Sequence, residues 1–144
     1  MNPQTIESIN KSAKEFLEVA EHAMLSKEVY EDGWDAKEII AHIVFYHQYY
    51  ASVVSAIVLK KELPLIDESL AKVNLESAKE YSRFSREQLL HKFRVAHKKL
   101  IDNILLLPTD AKIPYKKAGR IYEPEEYITE IARHIARHTK DLRH

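Results

Sequence analysis

Apolar residues recur at helical spacing along most of this chain. In the first segment Ile6, Ile9, Ala13, Phe16, Leu17, Ala20 and Met24 fall on one stripe, which predicts a helix over 3–25. From Glu28 to Gly33 the pattern breaks. A second helix is predicted over 35–60. Asp35 stands where it can cap the free N–H groups, and Glu38 follows three residues on, as in a capping box. Pro64 closes the loop after it. A third helix is predicted over 85–107, with Ser85 and Gln88 as a second capping box. Its stripe is Leu89, Phe93, Ala96, Leu100, Ile104 and Leu107, and Pro108 ends it. The last helix, over 124–142, opens on Pro124, a good first-turn residue, and carries Ile128, Ile131, Ala132, Ile135 and Leu142 on one face. Between the second and third main helices, residues 65–82 read as an irregular or helical crossover. It is long enough to let those two helices lie parallel. Residues 108–123 form a loop that has room for a short hairpin around Tyr115–Tyr122. The pattern thus predicts an all-α fold, a four-helix bundle in one domain spanning 1–144.

The second helix is unusual. No Asp, Glu, Lys or Arg occurs from Ile39 to Leu59. An uncharged run of about twenty residues is long enough to span a bilayer. His42, His47, Gln48, Ser52 and Ser55 argue against that reading, because each is costly in lipid. They also sort by face: Gln48, Ser52 and Ser55 lie roughly opposite Ile43, Tyr46, Tyr50 and Ile57. The outer face, with Ala41, Phe45, Gln48, Ser52 and Ala56, carries no charge, whereas a solvated face would carry Lys and Glu. That face is expected to be covered, either by the crossover segment or by a second subunit in a homodimer.

Composition narrows the chemistry. At 144 residues with 45% apolar content the chain can bury a core. Lys plus Arg equals Asp plus Glu at 22 each, so no net charge draws it toward nucleic acid or anionic lipid. The absence of cysteine removes disulfides, thiolate ligands and cysteine nucleophiles. Met1 to Ser12 is polar with no apolar leader core, and together these features point to a cytoplasmic protein. The two glycines, Gly33 and Gly119, form no phosphate-binding fingerprint. Eight histidines remain as the place where chemistry can reside.

His134 and His138, four apart, present two imidazoles one turn apart on the flank of the last helix's apolar stripe. Arg133 and Arg137 alternate with them, so a basic, solvated helix end is the competing reading. His42 shifts the balance. It lies about 80° off the apolar centre of the second helix, also at a seam, and Tyr46, Tyr49 and Val53 continue that edge. Three histidines from two helices can make a facial site with open coordination positions. A nitrogen-rich site without cysteine suits zinc, nickel, iron, manganese or copper. His22 and His91 fall opposite their apolar faces and read as solvated, and His144 is terminal. His47 lies on the other side of its stripe from His42, so one ion could hardly take both. His97 lies near the apolar centre of the third helix and reads as a core histidine with a hydrogen-bond partner, in reserve as a pocket acid or base.

Two stretches resemble a known family. Trp34-Asp-Ala-Lys-Glu-Ile-Ile-Ala-His42, with tryptophan eight residues before histidine, resembles the second-helix motif of the DinB-like (YfiT-like) superfamily. Tyr127-Ile-Thr-Glu-Ile-Ala-Arg-His134-Ile-Ala-Arg-His138 resembles its last helix with H-x-x-x-H. Helix order, the long crossover and the loop before the last helix extend the resemblance over nearly the whole chain. It implies a commonly dimeric four-helix bundle whose divalent metal is held by His42, His134 and His138. Some members are transferases or isomerases that use a low-molecular-weight thiol such as bacillithiol or mycothiol. The spacing from Ser85 to Pro108 also resembles a branch of self-resistance proteins, some acting without metal. Two functions therefore compete: a metal-dependent transferase or hydrolase acting on a small electrophile, and a non-catalytic dimeric metal- or ligand-binding stress protein. For the first, Tyr46 and Tyr49 are the candidate catalytic side chains, lining the pocket and donating hydrogen bonds to a leaving group.

Overall fold

The computed structural model describes residues 1–30 and 33–143. His144 lies outside the described residues. Helices α1 (Pro3–His22), α2 (Ala36–Val58), α4 (Arg86–Ile104) and α5 (Pro124–Arg143) are the four bundle helices, and α3 (Leu70–Tyr81) lies within the crossover. The expected starts hold because the caps form. Asp35 and Glu38 make a reciprocal capping box at α2, and Ser85 and Gln88 make one at α4. Pro124 is the first residue of α5. The helix ends fall two to three residues short of expectation at α1, α2 and α4. At α2 the cause is visible: Lys60 takes a positive φ of 56°, which cannot continue a right-handed helix.

The core explains the charge-free helix. In α2, Ile39, Ile40, Ala41, Val44, Val53 and Val54 are all fully buried. Stripes from the other helices close on them: Ile9 and Phe16 from α1, Leu89, Phe93 and Leu100 from α4, Ile128 and Ile135 from α5. Phe16 and Phe93 meet with ring centroids 4.7 Å apart. Phe45 and Gln48, on the outer face of α2, are covered from within the chain. Tyr81 of α3 packs edge-on to Phe45 and donates its hydroxyl proton to Gln48 Oε1. Ala78 of α3 is buried as well. Of the two expected covers, α3 is present. Among the described residues no helix is long and apolar enough to cross a membrane.

A two-stranded hairpin, β1 (Ile113–Pro114) and β2 (Ile121–Tyr122), occupies the loop before α5, with Ile113 opposite Tyr122. It is fastened to the start of the crossover. Lys117 N donates to Ile66 O at 2.9 Å, and the Lys116 ammonium donates to Glu68 O at 2.7 Å. This fastening holds Tyr115 over the seam between α2 and α5.

Candidate metal centre

Two helix starts aim the site. The capping box at Asp35 fixes the first turn of α2, and His42 follows on the face turned toward α5. Trp34, just before the cap, lies edge-on to the His42 ring at a centroid distance of 5.3 Å. From α5, His134 and His138 project one turn apart toward the same point. His42 Nε2 and His134 Nε2 are 3.1 Å apart, and His138 Nε2 and His134 Nε2 are also 3.1 Å apart. One nitrogen from each of the three lies within 4.8 Å of the others. The structure therefore brings all three sequence-predicted ligands together. His42 and His138 are buried and His134 is half-buried.

All three imidazoles are held neutral. Burial, helped by the charges at His138 and Arg137, lowers His42 to about 3. Burial, then the neighbouring His138, His42 and Arg137, lowers His134 to about 3. Burial and Arg137 lower His138 to about 4, against an opposing pull from Asp141. A neutral imidazole nitrogen carries either one proton or one lone pair. His134 Nε2 can thus satisfy one of its two close neighbours as a hydrogen bond, not both. A cation among three lone pairs removes that conflict. The spacing agrees: with zinc–nitrogen bonds near 2.0–2.1 Å, ligand nitrogens sit about 2.9–3.4 Å apart. The donor set fits a divalent ion.

A hydrogen-bond relay sets the tautomer of His138. Its Nδ1 lies 3.0 Å from the Tyr30 hydroxyl, which donates its own proton to the Asp141 carboxylate. With that proton given away, the Tyr30 oxygen accepts from His138 Nδ1–H, which leaves the Nε2 lone pair facing the cluster. His42 Nδ1 is buried and has no hydrogen-bond partner among the described residues.

A cavity of about 380 Å³ opens on the three histidines, with Tyr30, Trp34, Tyr46, Asn74, Tyr115 and Arg137 in its walls. Tyr46 is where the sequence places it, one turn beyond His42, with its hydroxyl donating to Asn74 Oδ1 at 2.6 Å. Burial, then Tyr115 and Tyr49, raises its pKa, so it stays a neutral hydroxyl. Tyr49 is engaged elsewhere. Its hydroxyl accepts from Ile66 N–H at 3.2 Å and donates to Tyr115 O at 2.7 Å, clamping the crossover to the hairpin. It is not among the residues lining this cavity. His47 and His97 form a separate pair between α2 and α4. Their Nε2 and Nδ1 are 2.9 Å apart, His97 Nε2 bonds Asn10 Oδ1 at 2.7 Å, and Phe93 stacks on His47. His22 and His91 are exposed.

Sequence reasoning did not single out Tyr30, Asp141, Asn74, Tyr115 or Arg137 as site residues. Asp141 was within reach, since it follows His138 by three positions and so shares its face. Tyr30, Asn74 and Tyr115 come from the break, the crossover and the loop, where no periodicity aims a side chain.

No family model matches the chain, and no curated protein matches it by sequence. Solved structures do match in shape. The crystal structure of the mycothiol-dependent maleylpyruvate isomerase superposes with a TM-score of 0.79 at 13% identity, covering 96% of this chain. A variant of that enzyme with one histidine replaced by alanine superposes equally, with a TM-score of 0.79 at 12% identity. This chain spans 59% of the length of either structure. At such identity the likeness is one of fold. The chain shares the helical-bundle fold of that isomerase, and three histidines gather between its second and last bundle helices.

Proposed function

We propose that this protein is a metal-dependent enzyme that joins a low-molecular-weight thiol to a small electrophile, or uses that thiol to rearrange one. His42, His134 and His138 hold a divalent ion such as zinc, nickel, iron or manganese. The observation that carries this reading is the convergence of three neutral imidazole nitrogens at the floor of an open cavity. Three neutral ligands leave the ion's charge largely intact, so that when bound it acts as a Lewis acid and favours the deprotonated form of a thiol or water. The chain has no cysteine, so the thiol must arrive as a cosubstrate. The mycothiol dependence of the structurally similar isomerase supports this choice over simple hydrolysis. Tyr46 provides a hydroxyl on the cavity wall, positioned by Asn74 to hydrogen-bond the electrophile or its leaving group. Tyr30 and Asp141 hold His138 in its ligating tautomer. Trp34 and Tyr115 line the cavity around the histidines.

The test offers the metal-loaded protein monochlorobimane or maleylpyruvate, each with and without mycothiol, bacillithiol or glutathione. The expected result is acceleration that needs both thiol and metal and disappears in His134→Ala. Turnover unchanged by chelation, or no thiol effect with any electrophile, would overturn the reading in favour of a non-catalytic binding protein.

A further inference from the structure

A second cavity, of about 450 Å³, adjoins the histidine cavity and shares Tyr115, His134 and Arg137 with it. Tyr50, Tyr115, Tyr122 and Tyr127 wall it. Their rings form a continuous aromatic surface: Tyr50 meets Tyr127 at 5.8 Å and Tyr115 at 6.2 Å, and Tyr122 meets Tyr127 at 6.0 Å. Two guanidinium groups sit at this cavity with different electrostatic status. Arg133 is paired with Glu130 at 2.8 Å, and Glu130 also lines the cavity. Arg137 has no ion-pair partner among the described residues. The cavity therefore carries one uncompensated positive charge beside an aromatic wall. The most buried of these tyrosines is Tyr127. It is 1% exposed, and its hydroxyl has no hydrogen-bond partner among the described residues.

We propose that this cavity binds a carboxylate-bearing small molecule, with the carboxylate on the Arg137 guanidinium and an apolar or unsaturated body against the tyrosines, its far end directed toward His134. The direction of that far end rests on reading the histidine cluster as the reactive centre. The carboxylate site itself does not. A guanidinium fork matches a carboxylate in two parallel hydrogen bonds. With Glu130 engaged by Arg133, one free guanidinium remains among the described residues, which balances a single carboxylate and not a dianion such as a phosphate monoester. The rings are tilted to one another, by 84° between Tyr50 and Tyr127 and 61° between Tyr115 and Tyr122, so the wall offers both ring faces and ring edges to an apolar or unsaturated body. The carboxylate can belong to the electrophile or to the thiol cosubstrate, and the probes separate these sources.

The experiment titrates chelated, metal-free protein, so that no carboxylate can bind through an ion, and follows amide shifts by NMR. Cinnamate stands for a carboxylate electrophile, cinnamamide for its neutral isostere, glutathione for a carboxylate thiol and phenyl phosphate for a dianion. Cinnamate or glutathione is expected to bind at roughly millimolar concentration, with shifts around Arg137 and Tyr115. Whichever of the two binds more tightly identifies the source. Arg137→Gln is expected to weaken that binding by about tenfold or more, the scale of a lost charge-assisted hydrogen bond, and Arg133→Gln much less. Arg137 is exposed on its helix, so the variant is expected to fold, and circular dichroism checks it. Equal binding of cinnamate and cinnamamide, binding unchanged in Arg137→Gln, or phenyl phosphate bound as tightly as cinnamate would overturn the proposal. Absence of thiol-dependent turnover alongside Arg137-dependent carboxylate binding would count against the proposed reaction and leave this site standing.

Discussion

His42 Nε2 and His134 Nε2 lie 3.1 Å apart, although the two residues are 92 positions apart in the chain. Two neutral imidazoles that close share a proton or share an ion. The third nitrogen, His138 Nε2, at the same distance from His134, removes the first option for the set as a whole.

The centre is therefore expected to hold roughly one divalent ion per chain when the protein is purified without a tag, measured by elemental analysis. His42→Ala, His134→Ala and His138→Ala should each lose most of it, because two imidazoles rarely hold a labile ion tightly. His22→Ala and His91→Ala, changed at exposed positions, should retain it. Equal loss in all five variants would show adventitious surface binding instead.

Tyr30→Phe tests the relay behind His138. The substitution keeps the ring and removes the oxygen that contacts both His138 Nδ1 and Asp141. Loss of a partner behind a metal-ligating histidine typically weakens metal affinity by roughly 10–100-fold. Competition with a chromogenic chelator measures this directly. Asp141→Asn should weaken affinity in the same direction, since an amide is a poorer acceptor for the Tyr30 proton. An unchanged affinity in both variants would mean that His138 keeps its orientation through helix packing alone.

Much of this arrangement was legible before any coordinates. Capping boxes at Asp35 and Ser85, and Pro124 at the head of α5, set the helix starts because those signals are local. His42, His134 and His138 were legible because each sits on the flank of an amphipathic stripe, and a flank in a bundle points into a seam. The charge-free face of α2 announced a cover without saying which, because Phe45 and Gln48 are equally well served by α3 or by another subunit. Tyr46 and Tyr49 share an edge on the helical wheel, yet only Tyr46 lines the histidine cavity. The difference is made by the hairpin, which reaches across to take the Tyr49 hydroxyl. Arg137 read as part of a solvated basic end, and it is exposed. What the wheel could not show is that two cavities meet beside it.

The clamp at Tyr49 has its own signature. Tyr49→Phe leaves the Tyr115 carbonyl and the Ile66 amide without the hydroxyl they share. An unsatisfied buried polar group costs about 1–3 kcal/mol. Thermal unfolding should fall by several degrees, while metal content stays at the wild-type level. Tyr46→Phe should do the opposite, leaving stability nearly intact and reducing turnover. A loss of turnover in Tyr49→Phe that exceeds the loss in Tyr46→Phe would return Tyr49 to the chemistry.

Acid should destabilise the metal-free protein over a window set by its buried histidines. His47 is held well below its ordinary value of 6.5, chiefly by burial and then by His97. His97 is lowered by burial, and the three ligand histidines are lowered to between about 3 and about 4. In the unfolded chain these groups take up protons near pH 6.5, and in the folded chain they do so only at lower pH. Between those values the unfolded state binds more protons, so stability rises with pH across the window. It is fully present above the unfolded value and is lost as pH falls toward the folded ones. The chelated protein should therefore show a nearly flat melting temperature above pH 7 and a steep fall between pH 6 and pH 4. His47→Phe removes one of these groups and keeps an aromatic ring on Phe93, so its acid limb should be shallower, while its stability at pH 8 falls because His97 Nδ1 loses its partner. With metal bound, protons also compete with the ion for the same three nitrogens, and the fall should begin with metal release. A melting temperature independent of pH from 8 to 4 in the chelated protein would mean that these imidazoles are protonated in the fold as readily as in the open chain, and the neutral ligand set would fall with it.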